Sequence, residues 1–350
     1  MMFRLSVAAL LATMPVAALA DPVYIPLGSA DAILVVDSST DHVTGRIDGV
    51  PAVHGLAPTP DGRYLIAGSA DERPARAAVP DKPETISDAE HVAHHPGPLA
   101  PIARAPATLS TVSIIDTEAD AVVRRIDVPG GVHHVAVDPT GRVAAVTHPA
   151  PGGITAIDLS SFEIAATVAT GPYANYAAFS PDGRRLYVSN AGNGTVSELD
   201  VERWIVRRNV IVGASPEHLV LSREGRRLYV NNVEAGTVSV VDTSAFEVVE
   251  HLAVSAPLHG IELAENGDTL FVAAMGEDRL VAFDLAARTQ RDVALRPAPY
   301  HVAAIAGTGK LYVSSDVEPK LWVVDQKTLA VMREIELGGK GHQIALPTQR

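Results

Sequence analysis

The chain of 350 residues is 47% hydrophobic, holds no cysteine and carries a formal net charge of −13. Without cysteine there can be no disulfide, thiolate zinc site, iron–sulfur cluster, covalent c-type haem or cysteine nucleophile. The acidic balance argues against nucleic acid or an anionic membrane as a partner, since both select a basic face.

In chain order, the first element is a leader. Arg4, an apolar run and the small-residue end Ala18, Leu19, Ala20 before Asp21 and Pro22 predict a secretory signal peptide cleaved after Ala20. Residues 21–350 are then a mature domain in the periplasm or outside the cell. No later segment approaches the ~20 apolar residues of a spanning helix, so no membrane span is expected.

The mature part opens with three short strands, residues 23–27, 32–37 and 43–47. A long insert follows at about 70–109, rich in proline and alanine and carrying His91, His94 and His95. Its composition cannot pack a core and predicts a loop. Beyond it the chain repeats itself. Residues 173–190 read YANYAAFSPDGRRLYVSN and residues 215–232 read SPEHLVLSREGRRLYVNN. Gly141, Gly183, Gly225, Gly267 and Gly309 step by 42, and so do Asp116, Asp158, Asp200, Asp242 and Asp284. Asp325 follows after 41 residues, and Asp37 is the seventh member. Each unit holds four β-branched or aromatic runs bounded by turn residues, which is the pattern of a propeller blade. The aspartates are expected to cap the turn after each third strand through side-chain-to-backbone bonds. The final segment, residues 341–346, supplies the innermost strand that the first three strands lack. The expected fold is an all-β, seven-bladed propeller of four-stranded antiparallel blades. N- and C-terminal strands would close the ring in one blade, removing free sheet edges.

The segments LYVSN at 186–190 and LYVNN at 228–232, each after Gly-Arg-Arg, resemble the YVTN repeats of the YncE-like propeller family. The resemblance covers nearly the whole mature chain and implies the seven-bladed fold. Related architectures include periplasmic metal-handling propellers such as zinc metallochaperones, a copper reductase with a histidine-lined hub, and magnesium-dependent lyases. Fold alone does not choose among these functions.

Eight residues before each turn glycine, at the start of each innermost strand, stand His54, His133, Asn175, Glu217, His259 and His301. Aligning His342 with His301 gives the seventh position. Five of these seven positions are histidine, out of 13 histidines in the chain. A packing role alone would select apolar residues there. Neutral imidazole is a common ligand of zinc and copper, and Glu217 adds an anionic donor. His54, His133, His259, His301, His342 and Glu217 are therefore the candidate ligands of a zinc or copper ion at the channel mouth. Auxiliary candidates are His91, His94 and His95 of the insert, His134 and His218 one residue inward, His148, and Met275, which suits Cu(I). These residues imply a metal-binding protein that holds an ion or hands it to a periplasmic partner protein. Two alternatives stay open. One is a metal-assisted enzyme with Glu217 and His259 in catalytic roles, and the other is a protein-interaction scaffold.

Overall fold

The structure, a computed structural model, describes residues 22–75 and 108–347. The leader and His91, His94 and His95 lie outside the described residues. Among the described residues there are seven antiparallel sheets: one of three strands, five of four and one of five. We number the blades along the chain. Blade one holds Pro22–Leu27, Ala32–Asp37 and His42–Asp48. Blades two to seven begin at innermost strands or strand starts near residues 53, 133, 174, 216, 259 and 299. The seven-bladed fold expected from the repeat is the fold observed. Among the described residues, no helix is long and apolar enough to cross a membrane.

The local chemistry of the repeat explains each blade. Second and third strands, such as Arg185–Asn190 and Thr195–Asp200, are buried on both faces because neighbouring sheets cover them. Fourth strands, such as Ile205–Ile211, alternate between exposed and half-buried and form the rim. Among the described residues, seven apolar clusters fill the spaces between blades, one of them around fully buried Phe271, Leu311 and Trp322. The aspartates cap their turns as anticipated. Asp242 Oδ1 accepts the backbone N–H groups of Ser244 and Ala245 at 2.9 and 3.0 Å, and Asp158 those of Ser160 and Ser161. The Ser160 hydroxyl, donating to Asp158 Oδ1 at 2.6 Å, and these backbone bonds stabilise the ionised carboxylates and hold their pKa values below the ordinary carboxylate value.

Two features depart from expectation. The insert does not leave the blade as a bare loop. Arg73–Pro74 pairs with Thr108 and Leu109, so a short ladder forms its base, and the third strand of blade two, Thr108–Asp116, is lengthened to nine residues. The closing segment is also less regular than a strand. It meets blade one through a single bridge, Tyr24 with Ala345, in which each N–H donates to the other's carbonyl at 2.9 Å, and through His342 N–H to Pro26 O at 3.1 Å. A cluster of buried residues including Ile25, Leu337 and Ile344 packs around this seam. Beside it, Lys310 Nζ and Tyr312 Oη both donate to the Asp41 carboxylate, tying blade seven to blade one.

Candidate metal centre

The hub is built from the starts of the innermost strands. Pairing with the second strand skips two residues there, between Pro216 and Leu219 and again between Pro299 and Val302. A regular strand would send two successive side chains to opposite faces. The irregularity turns both toward the channel.

Pairing also fixes which residues are equivalent. Val146, Val188, Val230, Val272 and Val313 of the second strands face Val135, Ala177, Leu219, Ile261 and Val302. Two residues before these partners stand His133, Asn175, Glu217, His259 and Tyr300. One residue before them stand His134, Tyr176, His218, Gly260 and His301. In blade two the same positions are His54 and Gly55, and in the closing segment they are His342 and Gln343. The ring therefore holds four histidines and Tyr300. His301 sits one residue deeper than the glycine spacing implied. The cause is a shorter turn in blade seven, where Lys310 follows Gly309 directly and pairs with Asp325, whereas Asp268 separates Gly267 from Thr269, the partner of Asp284. The step of 41 to Asp325 was the available signal.

This re-registration creates the site. His218, His259 and His301 come from three consecutive blades, and each offers one ring nitrogen, all within 4.8 Å of one another. Each of the three is at most 6% exposed. His218 Nε2 and His259 Nε2 lie 3.2 Å apart. Four nitrogens at about 2.05 Å from a tetrahedral zinc would be separated by roughly 3.3 Å. His301 Nε2 is buried without a hydrogen-bond partner. Glu217 is placed behind His259 rather than in the donor group, with Oε2 3.4 Å from His259 Nδ1. Burial holds all three imidazoles below the ordinary histidine pKa, His218 at about 3, so each is neutral near pH 7 and keeps a lone pair. Burial pushes Glu217 up to about 7.

Gly260 lets His259 reach the group. A Cβ there would stand 2.4 Å from Tyr300 O and 2.9 Å from His301 Cα, so only glycine allows blades six and seven this close. Gly260 N–H donates to Tyr300 O at 2.8 Å. Tyr300 lies flat on the His259 ring, 3.8 Å between centroids and 6° between planes. Tyr176 stacks between His134 and His218 at 3.4 and 4.3 Å. The preceding blade holds several ring carbonyls. Thr147 Oγ1 donates to Asn175 O at 2.7 Å, Ser189 Oγ to Glu217 O at 2.5 Å, and Asn231 Nδ2 to His259 O.

The remaining expected residues divide. His54, His133 and His342, on the same ring tier as His259 but half-buried, form a second group, with ring centroids 3.6 Å apart for His54 and His342 and 4.7 Å for His54 and His133. His342 links the two sets, 4.4 Å from His301. His134 is spent in the wall: its Nδ1 accepts from Ala177 N–H at 3.3 Å and its Nε2 lies 3.0 Å from the Gln343 amide. His148 is engaged within its own blade, with Nε2 2.9 Å from Thr155 Oγ1 and Nδ1 3.4 Å from Gly131 O. Met275 is half-buried at the start of the otherwise exposed turn Met275–Glu277, outside the donor group. Sequence reasoning missed Tyr176, Tyr300, Gln343 and the half-buried Glu262, whose carboxyl desolvation pushes up to about 7.

Comparison with known proteins bears on this hub only through the fold. A family model described as lactonase, 7-bladed beta-propeller, matches residues 140–324. No curated protein matches the chain. Among solved structures, a functionally unknown protein from Desulfotomaculum acetoxidans is 15% identical with a TM-score of 0.70, over 93% of this chain and 99% of that one. A structure described as a putative 6-phosphogluconolactonase from Bacteroides uniformis is 14% identical with a TM-score of 0.72, over 94% and 100%. Kuenenia stuttgartiensis hydrazine synthase is 15% identical with a TM-score of 0.62, over 85% and 86%.

Proposed function

The chain belongs to the lactonase family of seven-bladed β-propellers, and from that premise we propose that it binds a zinc or copper ion at the hub through His218, His259 and His301. One observation carries the reading: three neutral, buried imidazoles converge while His301 Nε2 has no partner. A buried polar atom left alone costs about 1–3 kcal/mol, and a metal ion removes that cost. Glu217 behind His259 Nδ1 has the place of the carboxylate that orients a ligating histidine and strengthens its donor nitrogen. Residues 1–20 support export, so the ion would be held outside the cytoplasm and passed to a partner there.

The test is a zinc titration of metal-stripped protein. Replacing His218, His259 or His301 singly by alanine is expected to lower affinity by at least about 100-fold, more than the 10–100-fold typical of groups behind the ligands. Affinity unchanged in all three variants removes the reading.

A second reading is favoured by the family and by Glu217, a half-buried carboxyl at the mouth with a pKa of about 7. A base titrating near neutrality suits the attack of water on a lactone carbonyl beside a bound metal. Acid release from a simple lactone by the zinc-loaded protein, abolished by Glu217→Gln, would favour it. Zinc binding without turnover favours carriage.

A further inference from the structure

The turn after each third strand carries a second repeated position beside the capping aspartate. Four residues beyond that aspartate stand Asp41, Asp120, Phe162, Trp204, Phe246, Arg288 and Leu329, each with φ between 48° and 60°. Phe162, Trp204, Phe246 and Leu329 pack into the apolar clusters between their own blade and the one before it, and Asp41 accepts the Tyr312 hydroxyl across the same kind of junction. Phe246 shows the fit best. It is 5% exposed, its ring centroid lies 6.0 Å from that of Tyr187, and Arg208 Cζ stands 4.7 Å from its centroid. Asp120 and Arg288 are exposed instead. The Arg288 side chain is 72% exposed and pairs with Glu250 at the rim.

Where Arg288 turns outward, a cavity of about 690 Å³ lies between blades five and six, within the roughly 300–1,000 Å³ of ordinary small-molecule sites. Tyr229, Val240 and Phe283 give it an apolar wall, and Tyr229 pairs with Val240 as Tyr187 pairs with Glu198 beside Phe246. Arg227 and Arg288 also line it. The acids nearby are engaged: Asp242 and Asp284 accept backbone N–H groups of their own turns, and Glu250 accepts from Arg288. A guanidinium has five N–H donors, so Arg227 and Arg288 keep some beyond those given to Asp242 and Glu250. We propose that this slot binds an aromatic carboxylate. Its ring takes the place that Phe246 fills one junction earlier, and its carboxylate meets Arg227 and Arg288. Arg288 can then lie over the ring as Arg208 lies over Phe246. The slot shares no residue with the hub, so it does not depend on the metal reading.

The test is a titration of the full chain with phenylacetate, followed by saturation-transfer NMR, with phenylacetamide as the uncharged counterpart. A dissociation constant on the order of 1 mM is expected for so small a ligand, and binding about tenfold weaker for the amide. Arg288→Phe supplies the ring that the other junctions hold. Phe162 and Phe246 keep φ at 56° and 58°, against 57° at Arg288, so the backbone there accepts phenylalanine. Circular dichroism reports whether the variant folds, and it is expected to lose phenylacetate binding. Arg227→Gln leaves the slot open and is expected to weaken phenylacetate about tenfold, the loss of one bond to a charged group. The proposal is overturned if phenylacetate does not bind the natural protein, or if it binds Arg288→Phe equally well. Equal affinity for acid and amide, or unchanged affinity in Arg227→Gln, overturns the carboxylate contact.

Discussion

At the scale of single residues, Gly260 and Tyr300 matter more than their lack of ligand chemistry suggests. Gly260→Ala must push the backbone of blade seven away, since the added methyl meets Tyr300 O at 2.4 Å. The expected loss is about 1–3 kcal/mol or more, read as a lower midpoint in urea. A midpoint equal to that of the natural protein would show that the blades separate freely here. Tyr300→Leu removes the ring lying flat on His259 and the hydroxyl facing His342. Zinc affinity should fall about tenfold, within the range for groups that orient ligands. Tyr300 was out of sight in the sequence for a reason of register. Glycine spacing put His301 on the ring, and a single missing turn residue between Gly309 and Lys310 moves Tyr300 into that place.

At the scale of elements, several second strands support the innermost strand of the following blade. Ser189 shows this best: its hydroxyl bonds the carbonyl of Glu217, the residue before His218. Ser189→Ala should cost about 1 kcal/mol and loosen the start of Pro216–Leu221. Faster amide exchange at 217–219 would report it, and exchange unchanged there would deny the support. The strands themselves were legible in the sequence, because the 42-residue repeat and the turn aspartates encode local backbone chemistry. Which histidines meet was only partly legible. His54, His133, His259 and His342 follow from the repeat. The partnership of His218 with His259 and His301 depends on two successive residues leaving the ladder, which residue spacing does not record. The paired base of the insert, Arg73–Pro74 with Thr108 and Leu109, was hidden by its proline-rich composition.

At the scale of the whole molecule, the hub makes stability depend on pH. Burial foremost holds His133 and His218 down to about 3 and His148 to about 4, and lowers His54, His134, His259, His301 and His342 as well. The unfolded chain takes up these protons first, near pH 6.5. The stability tied to neutral imidazoles is therefore fully present above 6.5 and is lost as pH falls toward the folded values. Glu217 and Glu262, pushed up to about 7, oppose this: their contribution is present below 4.5 and lost as pH rises through 7. With eight imidazoles against two carboxyls, the melting temperature of metal-free protein should rise between pH 4 and 6.5. A level profile over that interval would mean that the hub is wetter than described. The seam in blade one adds a kinetic dimension. His218, His259 and His301 belong to three consecutive blades, so a growing chain can bring them together before the circle is complete. His54, His133 and His342 meet only after the bridge between Tyr24 and Ala345 has formed. The order in which the blades emerge therefore becomes an order of competence, with the three candidate ligands able to meet before the seam closes.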